Sequence, residues 1–238
     1  MDDLSLATAA PDTSAEAADT PMTQSALPNP YDLATQLVGK LCHDFISPTG
    51  AIISGLDLLS DPSAQDMRDD AINLIQASAN KMVTLVHFAR VAFGAASSAE
   101  AFSAKELNKT LSDVFSTMRA NLEFQIDDSI VFEKPAARAL MNLGYIAGNA
   151  LPTGGIATLT REETDDAIIL KSESKGNRAR LKPEAIEGLA GKPLSEGLTG
   201  QWIQPFWLYS VAKEAGGSLE VTAEPDHLSI TITLPKIA

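Results

Sequence analysis

The chain has 238 residues, with 31 acidic against 18 basic side chains, a net charge of −13 and an isoelectric point near 4.6. No basic block is present to neutralise a run of phosphates, which excludes a duplex-binding surface, and no apolar run approaches the roughly 20 residues that a membrane-spanning helix needs. One cysteine, Cys42, cannot form an internal disulfide, three histidines are too few for a Cys/His-rich zinc site, and no basic and apolar signal segment precedes Lys40, so a reducing cytoplasm is the expected location.

Residues 1–29 carry five acidic side chains, no Lys or Arg, and much Ala, Ser, Thr and Pro. That mixture buries too little apolar surface to offset the entropy of ordering it, so the segment reads as a disordered acidic leader, either a solvated tail or residues upstream of a true start at Met22. From residue 30 to 60 the apolar residues Leu33, Leu37, Leu41, Phe45, Ile52, Leu56 and Leu59 recur at helical spacing, which predicts one long helix interrupted only by Pro48. At about 100° per residue this stripe faces one way and His43 faces the other. Stacked with His43 are Gln36, Lys40, Ser47, Gly50, Ser54 and Asp57, small or polar side chains that leave the imidazole standing proud.

Asp61-Pro62-Ser63 predicts a turn, with Ser63 as the N-cap of a second helix whose stripe is Ile72, Ile75, Ala79, Met82, Val83, Val86 and Ala89, ending near Gly94. Two helices joined so closely form an antiparallel hairpin, and both stripes are wider than one partner can cover. A homodimeric four-helix bundle is the economical solution. The hairpin domain is thus placed at 30–94, with a small-residue linker at 95–102 and a second domain over 100–238.

The second domain opens on a capping box, Ser103 with Glu106, starting a helix to about Arg119. Extended segments are expected at 122–126 and 130–133, a helix at 136–151, a hairpin from 156–162 and 167–172, a helix at 204–215, and a final hairpin from 219–223 and 228–234. The resulting fold class is α+β, with an antiparallel sheet and helices on one side.

The run His43-Asp44-Phe45-Ile46-Ser47-Pro48 resembles the H-box of sensor histidine kinases. A phosphoacceptor must be an unprotonated imidazole open to an in-line donor, and the outer position of His43 meets that need. Asp44 can orient the ring or take a proton from its other nitrogen, and Pro48 can bend the helix one turn on. Lys40 either neutralises the transferring phosphoryl charge or is a solvated lysine. Ser47, Gly50, Ser54 and Asp57 outline a docking stripe. Ile46 and Ile53 on one flank and Leu58 on the other are candidates for partner contact or for packing on the second helix. His87 and His227 lack an acid-and-proline context and are expected to be structural or solvated.

The last helix and hairpin look like the end of the GHKL ATPase fold, while its nucleotide boxes are degenerate. The paired Asn are stretched to Asn142 and Asn149, the adenine motif reduces to Ser174-Lys-Gly176-Asn-Arg, and the phosphate loop is replaced by Gly200-Gln-Trp202-Ile-Gln-Pro-Phe206-Trp207. Bulky rings there cannot form the open backbone nest that phosphates need. The aromatic group Trp202, Phe206, Trp207 and Tyr209 is either core or a recognition patch.

An H-box hairpin followed by a degenerate GHKL domain, together with the stretches 88–94 and 150–155, resembles the ChpT-type histidine phosphotransferases of alphaproteobacteria over residues 31–236. The resemblance implies a homodimeric shuttle that takes a phosphoryl group from the receiver domain of a hybrid histidine kinase onto His43 and passes it to response regulators; in the type system these are CckA, then CtrA and CpdR. It implies no cofactor of the chain's own, with Mg²⁺ held in the receiver's acidic pocket. The alternatives are an ATP-dependent kinase core with drifted boxes and a non-catalytic dimeric scaffold.

Overall fold

The computed structural model describes residues 28–94 and 101–236, so most of the acidic leader and the linker stretch 95–100 lie outside the described residues. The first helix, α1, spans Pro30–Ser60. It starts there because the Asn29 carboxamide oxygen accepts the N–H groups of Tyr31 at 2.9 Å and Asp32 at 3.0 Å, with Pro30 pre-set for the first turn. The helix runs unbroken through Pro48, whose ring is buried and whose missing N–H costs the carbonyl of Asp44 its usual partner.

A 3₁₀ turn, Pro62–Met67, leads into α2, Arg68–Ala92. Ser63 does not cap α2, which follows Met67 with no side-chain cap; Asp61 caps the 3₁₀ turn instead, its carboxylate accepting from Ser63 N–H at 2.8 Å and Ser63 O–H at 2.7 Å. The acid precedes Pro62 and so stands where the first free N–H groups converge. Gly94, at φ +68°, closes the hairpin.

After β1, Ala101–Ser103, the expected capping box opens α3, Ala104–Phe115: Ser103 Oγ accepts from Glu106 N–H and the Glu106 carboxylate accepts from Ser103. This helix stops four residues short of Arg119, because Ser116 and Thr117 hydroxyls bond the terminal carbonyls of Asp113 and Val114. Then come β2 (Ala120–Gln125), β3 (Val131–Glu133), α4 (Lys134–Asn149), β4 (Gly155–Glu163) and β5 (Ala167–Lys175). The chain ends with α5 (Pro183–Leu189), α6 (Thr199–Glu214), β6 (Ser218–Glu224) and β7 (His227–Pro235).

The main sheet has the order β2-β4-β5-β7-β6, and it is mixed rather than antiparallel. Between β2 and β4 the chain crosses over through β3 and α4, so β4 returns parallel to β2, with Ala120 opposite Gly155. The remaining pairs are antiparallel, and β1 pairs separately with β3. In β7, Leu228, Ile230, Ile232 and Leu234 alternate inward against α4 residues such as Leu140 and Leu143, while Ser229, Thr231 and Thr233 face outward. Neither α5 nor β1 was visible in the pattern, being seven and three residues long. Helix α6 begins five residues before the predicted start at 204, because Trp202 and Ile203 are buried against α1 and carry the helix back past Pro205.

The hairpin packs on the sheet half through both of its helices. Leu37 of α1 packs with Trp202, Ile203 and Phe206 of α6. At the end of α2, the carbonyl of Ala92 accepts from Asn142 Nδ2 and from Trp207 Nε1, each at 2.8 Å.

Candidate functional site

The helical turn around His43 places its imidazole on the solvent side of α1, with the side chain 88% exposed. Asp44 lies beside it, with Oδ1 at 3.5 Å from His43 Nδ1. The other carboxylate oxygen, Oδ2, accepts from Lys40 Nζ at 2.5 Å, a pairing that the (i, i+4) spacing on one helix makes local. One carboxylate therefore lies between a lysine and the imidazole, most of whose ring remains exposed.

The outer stripe of α1 is not uniform. On the C-terminal side of His43 the docking candidates Ser47, Gly50, Ser54 and Asp57 are exposed, and a Cβ at Gly50 would meet nothing within 4 Å. Ile46 and Ile53 are 70% and 55% exposed, so neither packs away on α2, whereas Leu58 is half-buried. On the N-terminal side, Gln36 and Lys40 are roofed by the sheet half. Lys40 is not a solvated lysine: its side chain is 10% exposed, and its ammonium lies 5.4 Å from the centre of the Tyr145 ring. Pro48, grouped with the chemical residues from its motif position, is buried and faces away from His43.

A cavity of about 780 Å³ opens between this end of α1 and the sheet half, with His43 and Asp44 on one wall. Tyr145 and Asn149 of α4, Arg180 and Lys182 of the loop between β5 and α5, and Gln204 of α6 line the others. Asn149 belongs to the stretched Asn pair and Gln204 to the run that replaces the phosphate loop, while Tyr145, Arg180 and Lys182 did not stand out in the sequence; tertiary packing alone brings all five to His43. Two basic side chains, Arg180 and Lys182, sit here in a chain of net charge −13, so the local charge runs opposite to the global one.

The two Asn of the stretched pair differ, Asn149 being exposed at the end of α4. Asn142 is fully buried, with Nδ2 bonded to the carbonyls of Ala92 and Arg138 and Oδ1 accepting from Gln204 Nε2 at 3.1 Å. Every polar atom of its carboxamide is committed to holding α2, α4 and α6 together. The aromatic group is likewise spent on packing: Trp202 and Phe206 stack at 4.4 Å and are 2% and 5% exposed, with Trp207 and Tyr209 half-buried beside them. His87 is exposed on α2, and His227 starts β7 within 4 Å of Glu173 and Glu224.

Comparison with known proteins agrees with this construction. Residues 104–227 match the family described as Histidine phosphotransferase C-terminal domain. Protein phosphotransferase ChpT of Brucella abortus (strain 2308) is 30% identical over 209 residues, covering 87% of this chain and 96% of that protein. A solved structure titled as a bacterial phosphotransferase superposes with a TM-score of 0.77 at 26% identity, covering 88% of this chain and all of the other. No helix among the described residues is long and apolar enough to cross a membrane. With an H-box hairpin joined to a mixed sheet that has no free Asn pair, and with these relatives spanning nearly its whole length, the chain belongs to the ChpT-like histidine phosphotransferase family and is a phosphotransferase of two-component signalling.

Proposed function

We propose that the chain is the histidine intermediate of a phosphorelay, with His43 as phosphoacceptor. The donor is the receiver-domain aspartyl phosphate of a hybrid histidine kinase, and the acceptors are the receiver Asp residues of response regulators of the CtrA and CpdR type. The observation that carries this reading is the pair of environments around one imidazole: Nδ1 beside the Asp44 carboxylate, and the rest of an 88% exposed ring open to a partner. The lone pair of Nε2 attacks phosphorus, the N–P bond forms as the P–O bond of the acyl phosphate breaks, and the donor carboxylate departs with the bonding electrons. Positive charge that develops on the ring is met at Nδ1 by Asp44. The second transfer is the reverse of this step on a different receiver.

Mg²⁺ is supplied by the partner's acidic pocket, and the chain brings no cofactor of its own; the full engagement of Asn142 supports this reading. Docking uses Ile46, Ser47, Gly50, Ile53, Ser54 and Asp57, an exposed set of small, apolar and acidic side chains directly below His43. The working form is a cytoplasmic homodimer. Leu56, Ile72, Val83 and Val86 belong to the inward stripes of the two helices yet are 51%, 37%, 54% and 39% exposed in a single chain, which is the surface a second hairpin would cover.

The test mixes the protein with a labelled phospho-receiver, beside an ATP-only control and a His43→Ala variant. Acid-labile, base-stable label should pass from receiver to wild type and not to His43→Ala. Label gained from ATP alone would instead make the chain a kinase, no label by either route would leave a scaffold, and a labelled His43→Ala would overturn His43 as the phosphoacceptor.

A further inference from the structure

We infer that Tyr145, on a helix of the sheet half, is a positioning residue for chemistry at His43, acting through Lys40 and Asp44. The inference rests on the reading of His43 as phosphoacceptor and adds a contribution from the second half of the chain, from a residue between the two Asn of the stretched pair.

The ammonium of Lys40 is almost wholly withdrawn from water, with 10% of its side chain exposed. A cation in that position needs compensation, and it has two contacts: Asp44 Oδ2 at 2.5 Å and the face of the Tyr145 ring at 5.4 Å. Lysine is a point charge on a flexible stem with three rotatable donors, so it does not define a direction for Asp44 unless something defines its own. The ring supplies that definition. Tyr145 is itself held: its ring lies 5.2 Å from that of Phe88, which is 4% exposed, and its backbone lies inside α4. A continuous chain of contacts therefore runs from Phe88 on α2 through Tyr145, Lys40 and Asp44 to His43.

The consequence falls on the chemical step. With Oδ2 engaged by Lys40, Asp44 presents Oδ1 toward Nδ1 of His43, which favours the tautomer that carries its proton on Nδ1 and its lone pair on Nε2. Without the ring, Lys40 opens onto the 780 Å³ cavity beside it and hydrates there. Asp44 then rotates freely, and the share of His43 ready for attack at Nε2 falls. Tyr145 lies away from the exposed stripe over residues 46–57, so partner docking is left unchanged.

The experiment uses the full chain as wild type, Tyr145→Phe, Tyr145→Leu, Lys40→Met and the Tyr145→Leu/Lys40→Met double variant. Each is phosphorylated by phosphoramidate, a small donor that needs no docking, and by a phospho-receiver. Tyr145→Phe should keep the wild-type rate, since the ring face is retained. Tyr145→Leu should lower the maximal rate about tenfold with both donors and leave the KM for the receiver unchanged. Nitrogen NMR of His43 should show the Nδ1–H tautomer losing population in Tyr145→Leu. Lys40→Met should reproduce the loss, and the double variant should be no slower than either single one.

Wild-type rates in Tyr145→Leu, a Tyr145→Phe as slow as Tyr145→Leu, or losses that multiply in the double variant would each overturn the inference while leaving His43 as phosphoacceptor intact. Absence of label on His43 in the wild type would overturn both.

Discussion

His43 has a carboxylate oxygen 3.5 Å from Nδ1, and its side chain is otherwise 88% exposed. Any neutral imidazole holds a proton on one nitrogen and a lone pair on the other, and a carboxylate beside Nδ1 favours the tautomer with its proton there and its lone pair on Nε2. A second residue with a strongly defined charge lies far from this site. Glu173, on the outer face of β5, accepts from Lys171 at 2.9 Å and from Lys175 at 3.0 Å, and these bonds hold its pKa at about 2 against an ordinary 4.5. A carboxylate whose pKa is depressed on folding adds stability that is fully present above its unfolded value and is lost as pH falls through its folded value. The contribution should therefore be intact above about pH 5 and vanish between pH 4.5 and 2. Thermal melts of wild type and Glu173→Gln should differ most at neutral pH and converge below pH 2; a constant difference across that window would refute the assignment.

At the scale of elements, the hairpin depends on one close approach. Gly55 of α1 is buried against α2, and a Cβ there would lie 2.6 Å from Ile75 Cγ1 and 3.1 Å from the carbonyl of Ala71. Helix propensity would favour almost any other residue at this position, so glycine is present for the contact. Gly55→Val should overpack the interface and cost about 1–3 kcal/mol, or roughly 2–4 °C in Tm per kcal/mol for a chain of this size. Differential scanning calorimetry reads this directly, and an unchanged Tm would show that the helices separate at no cost. The helix α6 shows the same dependence on packing. Its N-terminal turn forms where Trp202 and Ile203 meet Leu37, and no local signal marks that start.

At the scale of the whole molecule, one buried carboxamide joins both halves. Asn142 links the carbonyl of Ala92 at the end of α2 to Gln204 on α6, and Trp207 adds a second bond to the same carbonyl. The hairpin and the sheet half are therefore set against each other, which is what allows Tyr145 to reach Lys40. Dimerisation belongs to the same scale. Replacing Leu56 and Val83 by Glu puts charge on the stripe that a second copy would cover. Sedimentation equilibrium should give twice the 25.2 kDa chain mass for wild type and the single mass for the double variant. A wild-type monomer would mean that the stripe is covered by something else.

Periodicity and short-range chemistry were enough to place α1 between Pro30 and Ser60, the capping box at Ser103, the final hairpin and the outward position of His43, because each depends on neighbours within one or two turns or across one tight turn. The H-box is local as well, and so the reaction class was legible in six consecutive residues. Tertiary structure alone decided the parallel pairing of β2 with β4, since strand direction follows from where α4 returns the chain. It also decided the burial of Lys40, the commitment of Asn142 to packing, and the meeting of Tyr145 with a lysine 105 positions earlier in the chain. These are contacts between distant segments, whose partners are set by how two hydrophobic halves close on each other and leave no trace in the spacing of either.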